Sequence, residues 1–364
     1  LLPGNFNIQT VLVAPLDWGL GHATRCIPLI NALVTNGYTV ILAAEGAQAH
    51  LLQQEFPQLT LLPLAGYRVR YANTRWGLAL SLLQQLPRLR NTIRDEHAWL
   101  NEVISTHQID LVLSDNRYGL YSQKVSCIFI THQLTIKAPF GWLQQLLQRI
   151  NYRFINRFTA CWVPDMEGEA NIAGILSHPK QVPKIPVLYL GLLSRFAPGE
   201  VEKKYDYCVL LSGPEPQRSL LENKFIRELP SVAGNCLLVR GKPGSTEQLH
   251  IGPHVTVVNH LPGPELEAAI RQSAYVISRS GYSTVMELLA LRKKAILIPT
   301  PGQTEQEYLA QRLQSAGICI CFTQANFNAT QHLPFAHTHH YQFPPLTLFH
   351  PTMLPHLLQK SLPQ

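Results

Sequence analysis

The chain has 364 residues, 46% of them apolar, with 30 Lys and Arg against 23 Asp and Glu. That is enough apolar material for two ordinary α/β cores, but no apolar run reaches the roughly 18 residues of a membrane-spanning helix. The cationic surplus is not interleaved with a stacking platform, so no nucleic-acid partner is expected, and seven scattered cysteines without metal-ligand spacing fit reduced thiols in a cytosolic protein.

The start, LLPGNFNIQ, lacks a charged n-region and an initiator Met and reads as a trimmed terminus rather than a signal peptide. Strands are expected at Thr10 to Ala14, Thr39 to Ala43, Leu59 to Pro63, Leu111 to Ser114, Cys127 to Thr131, Ala160 to Val163 and Val187 to Leu190. The linker GLLSRFAPGEVEKKYD leads to a second set at Tyr207 to Leu211, Cys236 to Arg240, Val255 to Val258, Tyr275 to Ser278, Ala295 to Pro299 and Ile318 to Phe322. Short strands alternating with helical patterns imply one parallel sheet per half, with ligands beyond the carboxyl ends of the strands. The expected domains are 1–190, a linker at 191–205, a nucleotide-sugar domain at 206–322 and a tail at 323–364.

The first strand runs into DWGLGHATR, a turn carrying Gly19, Gly21, His22 and Arg25. His22 on this loop has two uses, as a base or as a hydrogen-bonding group for backbone or phosphate. Asp115, ending the strand DLVLSD, either fixes the tautomer of His22 or caps a helix at Tyr118. Asp17 reads as a turn former or a substitute base, and Arg25 as a diphosphate contact or a solvated or interdomain salt bridge. His132, in THQLTIKAP, reads as structural.

Two stretches, Phe56 to Arg94 and Asn116 to Pro164, contain no acidic residue. In the second, Leu143, Leu147, Ile150, Phe154 and Phe158 share a helical face beside Arg149, Arg153 and Arg157; in the first, six arginines surround WGLALSLLQQL. Each face either packs on the first sheet or meets an anionic membrane surface from the cytoplasmic side. The tail from Thr323 holds six His and six Pro and no acid. It reads as a solvated, partly irregular wrap that crosses back over the first domain through Leu354, Leu357 and Leu358.

The most informative stretch is RSGYSTVMELLALRKKAILIPTPGQTEQEYLAQRL, where a Ser-Gly turn opens a helix carrying Ser283, Thr284 and Glu287. A helix start presents backbone N–H groups and the positive end of the macrodipole, which suits a diphosphate, and a carboxylate further along can grip a ribose. The run resembles the donor-binding half of glycosyltransferase family 28, which includes the peptidoglycan N-acetylglucosaminyltransferase that forms lipid II. The resemblance implies a GT-B fold, two facing Rossmann-like domains with parallel sheets and an interdomain cleft. It implies donor roles for Arg279, Ser280, Gly281, Ser283, Thr284, Glu287, Gln303, Gln306 and Glu307, with the last pair reading the sugar. Ser212 and Gly213 stand where relatives have a Gly-Gly-Ser phosphate loop, although Pro214 and Pro216 stiffen it. Arg240, His260 and Leu261 match the region that packs on the uracil ring.

The expected activity is inverting transfer from a nucleotide-diphosphate sugar, a UDP-sugar, to an unassigned acceptor. His22 and Asp115 are the catalytic pair and Gly19, Gly21 and Arg25 the phosphate or acceptor loop, with no metal and no cofactor beyond the donor. The turn GLGHATR also resembles that of a UDP-sugar hydrolase, so hydrolysis or epimerisation is one alternative. A non-catalytic nucleotide-sugar-binding or scaffold protein is another.

Overall fold

The computed structural model describes residues 8–67, 75–138, 140–196, 199 and 201–362, with backbone alone for 75–87. Arg68, Arg70 and the side chains of WGLALSLLQQL, invoked above for the first acid-free stretch, lie outside the described residues, as does the start of the chain. Two compact units emerge, Leu1–Arg195 with Leu346–Gln364, and Phe196–Pro345.

The first unit runs β1 (Thr10–Pro15), α1 (Leu20–Thr35), β2 (Thr39–Ala44), α2 (Gly46–Glu55), β3 (Thr60–Pro63), α3 (Arg75–His107), β4 (Leu111–Asp115), β5 (Ser126–Ile130), α4 (Gly141–Ile155), β6 (Ala160–Val163) and β7 (Val187–Tyr189). Its strands form one parallel sheet in the order β3-β2-β1-β4-β5-β6-β7. The central strands are covered on both faces, so Val11, Leu12, Val13 and Ala14 are all fully buried, which is why they read as an unbroken apolar run.

The second unit runs β8 (Tyr205–Leu210), α5 (Gln217–Glu228), β9 (Cys236–Val239), β10 (Val255–Val258), α6 (Gly263–Arg271), β11 (Ser273–Ser278), α7 (Tyr282–Ala290), β12 (Lys294–Leu297), α8 (Thr304–Ser315), β13 (Cys319–Cys321) and α9 (Ala329–Phe335). Its parallel sheet has the order β10-β9-β8-β11-β12-β13. Each strand expected from the sequence is present, with ends displaced by at most about two residues.

Three local expectations are corrected. The tail does not behave as one solvated wrap. Its first part stays with the second unit, where Phe327, Ala329 and Leu333 are buried, His332 stacks on Phe322 at 4.0 Å, and Tyr207 Oη is hydrogen-bonded to His337 Nε2 at 2.8 Å. Its last part, α10 (Leu354–Ser361), belongs to the first unit, burying Leu354, Leu357 and Leu358. There Trp162 Nε1 donates to Ser361 Oγ at 2.8 Å.

No helix starts at Tyr118, since the chain turns there through Asn116 at φ 56. Asp115 therefore caps nothing at that point. On α4, Phe158 lies beyond the helix and is buried, while Leu143, Leu147 and Phe154 are half-buried. The stripe turned outward takes Ile150, 42% exposed, from the expected face and joins it to Trp142 at 67% and Leu146 at 46%. The helix is anchored on its opposite side through Asn151, whose Oδ1 accepts from Tyr118 Oη at 2.9 Å.

Candidate functional site

Strand order in a doubly wound sheet reverses at one point, and the loops leaving the two strands there diverge to open a crevice. In the second unit the reversal falls between β8 and β11, whose ends pair at Leu210↔Ser278. The loops that follow hold Ser212 and Gly213 on one side and Arg279, Ser280 and Gly281 on the other, so the sheet brings together residues far apart in the sequence.

Gly281 begins α7 without a side-chain cap, and a Cβ placed on it meets nothing within 4 Å. The approach to the helix start is therefore open. Ser283, Thr284 and Glu287 are half-exposed on one face of α7, spaced by three and four residues. Ser212 and Gly213 are exposed, Gly213 with φ 100.

Other expected donor residues are engaged elsewhere. Arg279 is buried and donates to the carbonyls of Ile298, Pro299 and Gln217 and to Gln324 Oε1; burial brings its pKa down to about 10. It fastens the floor of the loop instead of reaching outward. The Ser280 hydroxyl, fully buried, donates to the Gln306 carbonyl at 2.8 Å. Gln306 Oε1 accepts from Thr300 N at 2.9 Å and its Nε2 donates to Gln303 Oε1 at 2.5 Å. Glu307 Oε1 accepts from Gly302 N at 3.0 Å. The polar pair expected at the sugar thus shapes the loop after β12.

Arg240 is likewise committed, to Glu222, to Asn259 Oδ1 at 2.9 Å and to Glu247 at 2.8 Å. Burial raises the Glu222 carboxyl, but Arg240 and Arg218 overrule it and hold it below its ordinary value. Arg240 is part of a buried charge network that pins the ends of β9 and β10, while His260 is exposed and Leu261 half-buried in the next loop. Thr300 is a residue that the sequence reading passed over. It is buried, its Oγ1 has no partner among the described residues, and a Cβ on Gly213 would lie 3.7 Å from that oxygen.

In the first unit the sheet reverses between β1 and β4, and Pro15, Asp115 and Ile130 stand side by side across β1, β4 and β5. Just beyond these ends, His22 and His132 gather about Asp115 and Arg25. The loop of β1 is clamped by Gln48, which donates to the carbonyls of Leu16 and Gly19, and Gly19 takes φ 73 to enter α1. Asp17 Oδ1 accepts from Tyr67 N at 2.9 Å, which ties two loops together, and its carbonyl accepts from Gly19 N at 3.1 Å within the turn.

His22 Nδ1 is 2.8 Å from Asp115 Oδ2, with the imidazole 14% exposed and the carboxylate fully buried. Arg25, also buried, pairs with Asp115 through Nε and Nη2. Its Nη1 donates to His132 Nδ1 at 2.9 Å, and its Nη2 lies 2.9 Å from His22 Nδ1. Arg25 does form a salt bridge, but one buried within the first unit and not the solvated or interdomain pair that was expected. Burial and the Arg25 charge push the His22 pKa below its ordinary value against the pull of Asp115. Burial raises Asp115, yet Arg25 and His22 more than offset it and hold its carboxyl low. Among the described residues, no group of three or more His, Cys, Asp or Glu is arranged to hold a metal ion.

The profile of the glycosyltransferase family 28 C-terminal domain matches residues 244–338, which include β11, α7 and α8. A UDP-N-acetylglucosamine–N-acetylmuramyl-(pentapeptide) pyrophosphoryl-undecaprenol N-acetylglucosamine transferase of Rhodopseudomonas palustris is 42% identical over 65 residues. That stretch is 17% of this chain and 18% of the relative, so the chain spans under a fifth of the relative's length. An uncharacterized glycosyltransferase of Methanosarcina acetivorans is 25% identical over 328 residues, covering 82% of this chain and 80% of its own. Among solved structures, the glycosyltransferase VinC in complex with DTDP is 15% identical and aligns over 97% of this chain and 99% of its own, with a TM-score of 0.61. Two parallel sheets with this likeness along almost the whole chain show the GT-B fold, and the part that resembles glycosyltransferase family 28 is the segment over β11, α7 and α8.

Proposed function

We propose that the chain is a glycosyltransferase that moves a sugar from a nucleotide-diphosphate donor, a UDP-sugar such as UDP-N-acetylglucosamine, to a lipid-linked or other glycan acceptor by inverting displacement. The observation that carries this reading is the open, uncapped start of α7 at the strand reversal of the second sheet, with Ser283, Thr284 and Glu287 on its accessible face. The helix amides and dipole take the diphosphate and counter the charge it gains as it leaves, and Glu287 takes the ribose hydroxyls. His22, oriented by Asp115, accepts the acceptor's hydroxyl proton as that oxygen bonds to the anomeric carbon and the nucleoside diphosphate departs.

The exposed stripe Trp142, Leu146 and Ile150, beside the exposed Arg149 and Arg153, supports peripheral contact with an anionic membrane surface, where a lipid-linked acceptor is found. No helix among the described residues is long and apolar enough to cross a membrane.

A thermal-shift panel tests the donor assignment, because a ligand that binds the folded state raises its apparent stability by mass action. UDP and UDP-sugars are expected to raise Tm above uridine, with dTDP and dTDP-sugars as the competing arm. No shift with any nucleoside diphosphate at millimolar concentration overturns the reading. Release of free sugar and UDP at full rate without an acceptor reassigns the chain as a hydrolase.

A further inference from the structure

Resting on the assignment of His22 as base, we infer that Arg25 is the positioning residue of this site: held by His132, it occupies most of the Asp115 carboxylate and keeps His22 a neutral imidazole whose Nε2 lone pair is open to the acceptor hydroxyl. The argument begins with what each group can do. A guanidinium only donates and a carboxylate only accepts. His132 Nδ1, 2.9 Å from Arg25 Nη1, must therefore present a lone pair, which makes His132 a neutral acceptor carrying its proton on Nε2.

His22 Nδ1 faces a conflict. It lies 2.8 Å from Asp115 Oδ2, to which it can only donate, and 2.9 Å from Arg25 Nη2, from which it can only accept. One nitrogen cannot do both, so two tautomers compete. With the proton on Nδ1, Nε2 is a base; with Nδ1 accepting from Arg25, Nε2 carries the proton and cannot take another. The contacts of Asp115 decide between them. Oδ1 is taken by Arg25 Nη2 and Nε, whereas on Oδ2 the His22 contact at 2.8 Å is shorter than that of Arg25 Nε at 3.1 Å. Oδ2 is thus left for the Nδ1 proton of His22, and the base-competent tautomer prevails.

Arg25 also governs the charge. Protonating His22 would set a second cation beside the buried guanidinium, while the carboxylate that would ordinarily welcome it is already paired. The groups that face the imidazole are Arg25 on its own helix, Asp115 at the end of β4 and His132 after β5; the Cys26 thiol, which burial and Asp115 push well up, lies against the same carboxylate. An Asp–His pair without Arg25 would hold His22 charged to higher pH and silence it as a base there.

Nitrogen-15 NMR of the imidazoles reads both parts, tautomer and titration, and needs no acceptor. In the wild-type protein at neutral pH, His22 is expected to carry its proton on Nδ1; an Nε2-protonated ring or an imidazolium overturns the inference without any variant. In Arg25→Gln the His22 titration is expected to move to higher pH, and the acid limb of kcat/KM to move with it, whereas Arg25→Lys returns both toward wild type. An unmoved or lowered His22 titration in folded Arg25→Gln overturns it. His22 titrating as expected while no acceptor yields product would sink the transferase assignment and leave the electrostatic arrangement standing.

Discussion

Replacing Glu287 by alanine probes the most specific demand of the donor assignment. From Tyr282, where α7 begins, five residues at a 1.5 Å rise carry the chain about 7.5 Å along the axis. That is the order of the reach from the phosphates to the ribose in a nucleoside diphosphate, so a diphosphate at the helix start leaves its ribose near this carboxylate. Hydrogen bonds to a charged group contribute about 1.5–3 kcal/mol. Because Glu287 is half-exposed, two such bonds are discounted to about 1.5–3 kcal/mol in total, which is a loss of roughly 10- to 150-fold in UDP affinity. Alanine is a better helix former than Glu, so the unliganded protein is expected to keep its Tm. Titration calorimetry with UDP, uridine and pyrophosphate separates the contributions: UDP and uridine weaken, pyrophosphate does not. Unchanged UDP binding, or pyrophosphate weakened by the same factor, would refute the ribose role.

The remaining predictions concern the first unit. Ser361 Oγ accepts from the buried Trp162 Nε1 and donates to the Leu357 carbonyl at 2.7 Å, so Ser361→Ala strands an indole N–H and is expected to cost about 1–3 kcal/mol in urea unfolding. An unchanged midpoint would show that α10 is not held through this bond. The triple change Trp142→Ser, Leu146→Ser and Ile150→Ser is expected to abolish co-sedimentation with anionic liposomes and leave the thermal shift with UDP intact. Equal sedimentation of variant and wild type removes α4 as the membrane contact.

The strands were legible because parallel strands covered on both faces must be apolar throughout, as in VLVA of β1 and YVIS of β11. The meeting of His22 with Asp115 was legible for a related reason, since both lie at carboxyl ends of strands in one parallel sheet. What the sequence hid was register. Arg25 reaches His132, 107 residues away, only because Pro15, Asp115 and Ile130 stand abreast, and no local pattern encodes that alignment. The outward face of α4 was hidden similarly: its apolar residues are spread round the helix, and the inward side is the one that carries Asn151, bonded to Tyr118, and the buried Ile155. The His-rich tail misled by composition, because a His that stacks half-buried on Phe322 looks the same in sequence as one that is only solvated.

The two sheets place opposite electrostatics at equivalent positions. At the reversal in the first sheet, the Arg25 cation is matched by the Asp115 anion, and both are buried. The proton affinity of His22 is set between these two opposed charges and its burial. At the reversal in the second sheet, the buried Arg279 is met only by carbonyl and amide oxygens among the described residues, and it stands directly before α7 with its positive helix start. Its charge is left without a carboxylate in a region of low dielectric, where its field is screened less than at the surface. Even with its side chain committed to the loop floor, Arg279 can thus favour an anion at Gly281. The consequence is asymmetric: loss of Arg279 weakens diphosphate and inorganic pyrophosphate alike, whereas loss of Glu287 spares the latter.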